Sequence, residues 1–269
     1  MMSVAVAAPL ALLAVAALAV LLWAQQERIV FQPPGPPLPA AGDTRRLDFD
    51  TDDGERLFGY VVGDTVSPAG VLIAFHGNAD LAVWQIPWAR EVARRTGWVV
   101  FLAEYRGYGG ATGKPTYAGS RRDASAANRA AAEFLGATPE RTALFGHSLG
   151  SAIATELAVE IGPRALILQS PFSSAREMAR IIVARPLDRL WALVSRVHFD
   201  TEARVATLDT PVWVAHGTRD FIIPVRMGRE VHAAARIPGE LLLVAGAGHN
   251  DLPDIAGESY WEWIERALR

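Results

Sequence analysis

The chain has 269 residues, 51% of them apolar, enough for one large domain with a sizeable core. Its 26 Lys and Arg against 29 Asp and Glu leave a net charge of −3, which excludes the basic surface that a nucleic-acid backbone demands. There is no cysteine, so disulfides, thiol catalysis and cysteine-ligated zinc are excluded as well.

Residues 1–26 carry no Asp, Glu, Lys or Arg. Within them "VAVAAPLALLAVAALAVLLW", residues 4–23, is an apolar run with one proline. As a helix this run is about 30 Å long, the hydrocarbon thickness of a bilayer. Trp23 then falls where an interfacial aromatic is favourable. A secretory signal normally opens with basic residues and closes on a small-x-small cleavage site, whereas neither Lys nor Arg stands ahead of this run, and the run is long. The expectation is a single-pass membrane anchor over 1–26, with a cleaved signal or a buried core helix as alternatives. Arg28, Arg45 and Arg46 follow the span and mildly favour a cytoplasmic domain. Next comes "FQPPGPPLPAAG", residues 31–42, with five prolines. Such a segment favours extended chain, so 27–46 is expected to be a Pro-rich linker that spaces the domain from the membrane. The alternative is a loop packed on the domain surface.

From 47 to 269 short apolar runs alternate with helical patterns. The runs are 47–49, 57–62, 71–75, 98–103, 142–146, 165–169, 212–216 and 241–245. Stretches with 3.6-residue spacing separate them from 71 onward, at 84–96, 119–135, 149–160, 225–236 and 256–268. This pattern predicts an α/β fold with a mostly parallel eight-stranded sheet and helices on both faces. The first two runs have no helix between them and should pair antiparallel. Residues 172–208 exceed what one crossover helix needs. Pro186 should break them into two helices, giving a small helical cap; an ordinary crossover with a long loop is the alternative.

In such sheets chemistry collects beyond the carboxyl ends of the strands. At one of them "ALFGHSLGSAIATELA" passes from strand to helix through Gly-His-Ser-Leu-Gly, residues 146–150. Gly146 and Gly150 remove side chains that would collide at so sharp a corner. The corner residue, Ser148, is expected to hold a strained backbone with its oxygen pointing outward. The bland alternative is a serine that N-caps the helix. A serine hydroxyl needs a base, and the base an orienting partner. His249 follows the last strand in "LLLVAGAGHND", and Asp220 follows the preceding one in "VWVAHGTRD". Ser148, Asp220 and His249 are thus the expected nucleophile, acid and base, in the chain order this fold uses. Asp251 is the rival acid, but it lies too near His249 in sequence to reach the far ring nitrogen easily. Two amides should hold the oxyanion. Leu149, at the helix start, supplies one, and Asn78, in "FHGNADL", the other, with Ala79 as its alternative. His76 precedes the serine, which argues against its being the base.

The residues "HGNA" (76–79), "YRGYG" (105–109), "GHSLG" (146–150), "HGTRDFIIP" (216–224) and "GAGHND" (246–251), with "FQP" after the apolar run, together resemble the α/β-hydrolases. The resemblance is to the membrane-anchored α/β-hydrolase-domain proteins of bacteria and eukaryotes, and covers 31–269. It implies a serine hydrolase of esters, thioesters or amides, without metal or cofactor. Glu104 departs from the family, which usually has Asp there, and "GGATGKP" (109–115) has Ala and Thr where Ser is common. "GYGGATG" does not satisfy Gly-x-Gly-x-x-Gly and reads as a surface loop, not a dinucleotide site. The expected substrate is a small-molecule or lipid acyl ester met at the membrane. A peptidase or amidase of the same fold, and a non-enzymatic binding protein, are the alternatives.

Overall fold

The computed structural model describes residues 4–35, 41–182 and 187–269. Its strands are β1 (Arg45–Asp50), β2 (Arg56–Val62), β3 (Val71–Phe75), β4 (Val99–Ala103), β5 (Thr142–His147), β6 (Ala165–Gln169), β7 (Val212–Gly217) and β8 (Pro238–Val244). They form one eight-stranded sheet in the order β1-β2-β4-β3-β5-β6-β7-β8. β2 pairs antiparallel with both β1 and β4, and the pairings from β4 through to β8 are parallel. The expected mostly parallel sheet and its antiparallel start are both present.

The helices are α1 (Val4–Val30), α2 (Ile86–Thr96), α3 (Tyr117–Leu135), α4 (Leu149–Ile161), α5 (Ala175–Ile182), α6 (Leu187–Val194), α7 (Thr201–Val205), α8 (Val225–Ala234), α9 (Leu252–Ala256) and α10 (Glu258–Leu268). One core layer joins the sheet to α3, α4 and α8, and a second joins it to α2 and α10. Covered on both faces, β3, β4 and β6 are buried at every residue. That is why they read as unbroken apolar runs rather than alternating ones. β3 lies between β4 and β5, so the chain leaves it first to one side and then to the other. The crevice beyond the carboxyl ends of β3 and β5 is the switch point of this topology.

The chain from β6 to β7 carries α5, α6 and α7. Pro186, expected to break this connection, lies outside the described residues. α1 continues past the expected boundary at 26 to Val30. Its residues from Leu12 to Ala17 are exposed, whereas Leu22, Gln26 and Val30 turn one stripe inward. Gln26 is fully buried, donating to the carbonyl of Val194 at 3.4 Å and accepting from the amide of Arg196. The Arg196 guanidinium lies over the Trp23 ring at 4.4 Å. Phe31 then enters the core edge-on to Phe199.

Arg106, after β4, joins three parts of the fold. Its backbone amide and Nε donate to Asp123 of α3 at 3.0 and 2.8 Å, and its two terminal nitrogens donate to Asp53 of the β1–β2 turn at 2.9 and 3.0 Å. The guanidinium and the Asp123 carboxylate are both nearly inaccessible to solvent. Removing one partner of such a pair leaves an uncompensated buried charge. Arg106→Ala should therefore lower the unfolding free energy by about 3–5 kcal/mol in a urea titration. Lysine, lacking the planar fork, should recover little of it.

Candidate active site

At the end of β5 the chain turns directly into α4. A Cβ on Gly146 would lie 2.3 Å from the carbonyl oxygen of Gly150, and one on Gly150 would lie 2.1 Å from that of Phe75 in β3. The corner closes only because both positions lack a side chain. Ser148 between them has φ 53° and ψ −117° and makes no capping hydrogen bond to α4, which removes the bland reading of this serine. The neighbouring strand ends are held in the same unusual way: Ala79 after β3 has φ 52°, and Ser170 after β6 has φ 48°. For residues with a Cβ each such conformation costs about 1–3 kcal/mol. Gly150→Ala should destabilise the fold by at least the upper end of the roughly 1–3 kcal/mol typical of overpacking. The clash is with backbone, which has no rotamer to give. Thermal unfolding measures the loss.

Asp220 stands just past β7 with its carboxylate surrounded by donors. Oδ1 accepts from the amides of Ile222 and Ile223 at 2.9 and 2.8 Å, and Oδ2 from His249 Nδ1 at 2.7 Å. His216 Nε2 lies 3.2 Å from the same Oδ2, and also donates to the carbonyl of Ile223 at 2.9 Å. Burial alone would raise the proton affinity of Asp220. The bonds from His216 and His249 outweigh it and hold the carboxyl well below the usual carboxylate range. Asp251, the rival acid, instead accepts from the amide of Gly248 at 2.7 Å and shapes the turn before His249.

The backbone of His249 is fixed from two sides. Its carbonyl accepts from Ser170 Oγ and from His147 Nε2, both at 3.2 Å. Burial pushes the His147 ring down to about 3, so it is neutral and its Nε2 carries the proton of that bond. With Nδ1 on Asp220, the His249 ring lines a cavity of about 840 Å³ whose wall also includes Ser148, Gly77 and Asn78. Asp220 and His249 are joined directly. Ser148 shares the cavity with His249, and among the described residues its hydroxyl makes no hydrogen bond to the ring.

The loop after β3 abuts the corner. A Cβ on Gly77 would lie 3.2 Å from His147 Nδ1 and 3.4 Å from Ser148 Cβ. Among the described residues the amides of Asn78, Ala79 and Leu149 have no acceptor. Asn78 uses its side chain elsewhere. Its Oδ1 accepts from the amide of Gln32 at 2.8 Å and from Tyr108 Oη at 2.9 Å, while its Nδ2 donates to the carbonyl of Val30 at 2.8 Å. His76 is buried against Glu104, Nε2 to Oε1 at 2.7 Å, and donates through Nδ1 to the carbonyl of Gly77 at 2.8 Å. Burial pulls its proton affinity down, but the Glu104 charge and hydrogen bond more than offset this and raise it. Glu104 also accepts from the amide of Ala82 at 3.1 Å. The family departure at 104 thus fixes the start of the loop. Neither the Glu104–His76 pair nor His216 behind Asp220 is visible from sequence. The β3–β4 register, Phe75 beside Ala103, is what brings 76 and 104 together.

A second cavity, of about 330 Å³, is also lined by Ser148, together with Leu149. Its lining is apolar, with Leu22 and Ile29 of α1 facing Phe172, Met178 and Trp191.

An open parallel sheet with a strained serine corner and a His-Asp pair at its rim defines an α/β-hydrolase. A family model described as Serine aminopeptidase, S33 matches residues 66–199. An uncharacterized protein of Mycobacterium tuberculosis is 35% identical over 92% of this chain and 88% of its own length. Human alpha/beta hydrolase domain-containing protein 17B is 28% identical over 80% of this chain and 71% of its own. An esterase of Pyrococcus furiosus shares the fold at a TM-score of 0.68, with 16% identity over 89% of this chain and all of that one (100%). The chain belongs to the α/β-hydrolase family and is a hydrolase.

Proposed function

We propose that this hydrolase cleaves carboxylic esters, acyl thioesters included, through a Ser148–His249–Asp220 triad at a membrane surface. The observation that carries the reading is the 2.7 Å Asp220–His249 bond, on the cavity that the strained Ser148 also lines. His249 takes the Ser148 proton as the oxygen bonds to the acyl carbon. Asp220 holds the ring with Nδ1–H inward and stabilises its charged form. The amides of Asn78 and Leu149, helped by the α4 dipole, receive the oxyanion. The leaving group departs with the proton from His249, and water then releases the acid by the reverse steps.

One apolar N-terminal helix supports the membrane half of the proposal. Leu12–Val30 is long and apolar enough to cross a bilayer, with a mean hydropathy of 1.4. Residues 1–26 are proposed as the anchor, 27–46 as the connecting segment, and 47–269 as the hydrolase domain, with 172–208 as its cap. A second reading, an aminopeptidase or amidase, draws on the matched family description and on Asp80 and Asp254. These acids line the larger cavity, and among its described lining residues there is no Lys or Arg, which suits an amine. The apolar cavity beside Ser148 favours the ester.

A fluorophosphonate probe tests the triad: it should label the intact protein on the peptide carrying Ser148. A panel of p-nitrophenyl esters, an acyl thioester and an aminoacyl p-nitroanilide then tests the class. Preference for the anilide selects the second reading, and an unlabelled, folded protein removes the triad. Retention of the chain in membranes after a carbonate wash tests the anchor.

A further inference from the structure

We propose that the apolar cavity between the end of α1 and helices α5 and α6 is the acyl-chain site, and that the anchor helix itself forms one of its walls. The inference rests on the triad reading and adds to it the substrate class, an ester or thioester of a long, unbranched acyl chain.

Three observations converge. First, the cavity adjoins the reacting atoms: Ser148, Leu149 and Asn78 are among the residues that line it. A chain in it has its carbonyl at the serine, and the larger cavity, which carries Asp80, Gln169 and Asp254 among aromatic walls, is left for the leaving group. The two cavities share Ser148 and Asn78, so the scissile bond lies at their junction.

Second, the anchor helix reaches this far. Leu22, Ile29 and Val30 line the cavity, Leu22 and Val30 on the inward stripe of the buried Gln26 and Ile29, 43% exposed, at its margin. These positions are spaced i, i+4, i+7 and i+8, one face of a helix. The seven-residue rise from Leu22 to Ile29 is about 10 Å. Leu22 belongs to the last turn of the apolar run, where the anchor leaves the bilayer, and Val30 lies beside the loop that carries Asn78. The cavity therefore extends from the edge of the membrane to the nucleophile, and a chain in the leaflet enters it without crossing water.

Third, the wall is tied to the catalytic loop. Asn78 grips the backbone of Val30 and Gln32 with both ends of its side-chain amide. This fixes the end of α1 relative to the Asn78 amide proposed for the oxyanion. A freely swinging anchor would leave the cavity open on that side.

The test uses the full chain in phosphatidylcholine nanodiscs and reads the ratio of kcat/KM for p-nitrophenyl laurate to that for the acetate. Each methylene buried is worth roughly four-fold, so the wild-type ratio should be large. Ile29→Trp on the anchor and Met178→Trp on α5 both fill the cavity, and each should lower the ratio ten-fold or more. Leu21→Trp, on the exposed side of the same helix, should leave it within two-fold. The ratio is independent of how much protein is folded, and fluorophosphonate titration of Ser148 counts the active sites. A ratio unmoved by Ile29→Trp and Met178→Trp in labelled protein overturns the acyl site alone. An equal drop in Leu21→Trp overturns it too, since any disturbance of α1 would then suffice. Absence of labelling in the wild type overturns the triad reading and this inference together.

Discussion

Ser148→Ala is expected to lower kcat on p-nitrophenyl esters by roughly six orders of magnitude, while the unfolding midpoint stays where it is. The two readouts separate because of what the residue does in the fold. Its hydroxyl neither caps α4 nor bonds to another described side chain. What the structure takes from position 148 is backbone: the amide donates to the carbonyl of Gln169 at 3.0 Å, and the carbonyl accepts from Ser151 Oγ at 2.5 Å. Alanine keeps both. It also keeps the positive φ, so no strain is released to mask an effect. Single-turnover kinetics and unfolding of the same preparation make the comparison. A variant that keeps more than about one percent of wild-type kcat would be incompatible with covalent catalysis from this oxygen.

Asp220→Asn is expected to cost about four orders of magnitude in kcat. The carboxylate serves only as an acceptor, for two backbone amides on Oδ1 and two imidazoles on Oδ2. An amide side chain has one acceptor and one donor end. If its NH2 faces the imidazoles, His249 must take the other tautomer and present a proton, not a lone pair, to Ser148. If it faces the amides of Ile222 and Ile223, two buried donors lose their acceptor. Both outcomes also reduce stability, by about 1–3 kcal/mol for each buried group left unpaired. The kinetic loss therefore comes with a modest drop in the urea midpoint, unlike that of Ser148→Ala. An activity within ten-fold of wild type would mean that Asp220 does not orient the base.

Much of this arrangement is legible in the sequence because the signals are local. Continuous apolar runs mark the buried strands. The glycines at 146 and 150 announce a corner where backbones meet. The residues after three strands give the order serine, acid, histidine. What stays hidden depends on which strands are neighbours. Glu104 and His76 meet only because β3 and β4 are paired, and a chain written in one dimension does not state that pairing. His216 looks like one more strand residue until its neighbour across the turn is known to be Asp220. The segment after the apolar run is misleading for another reason. Phe31, ahead of its prolines, is an apolar residue in search of cover, and it finds it against Phe199. Gln26 reads as the polar end of a span, and its burial follows from the docking of α1 on the chain around Val194 and Arg196.

The positive φ angles at Ala79, Ser148 and Ser170 carry a consequence for heating. All three mark the same edge of the sheet, while the center is made of relaxed, fully covered strands. The free energy held at that edge is released when its loops let go, and the strands need not separate for that to happen. Turnover should therefore fade several degrees before the cooperative melting of the body, leaving a narrow interval in which the protein is folded but idle.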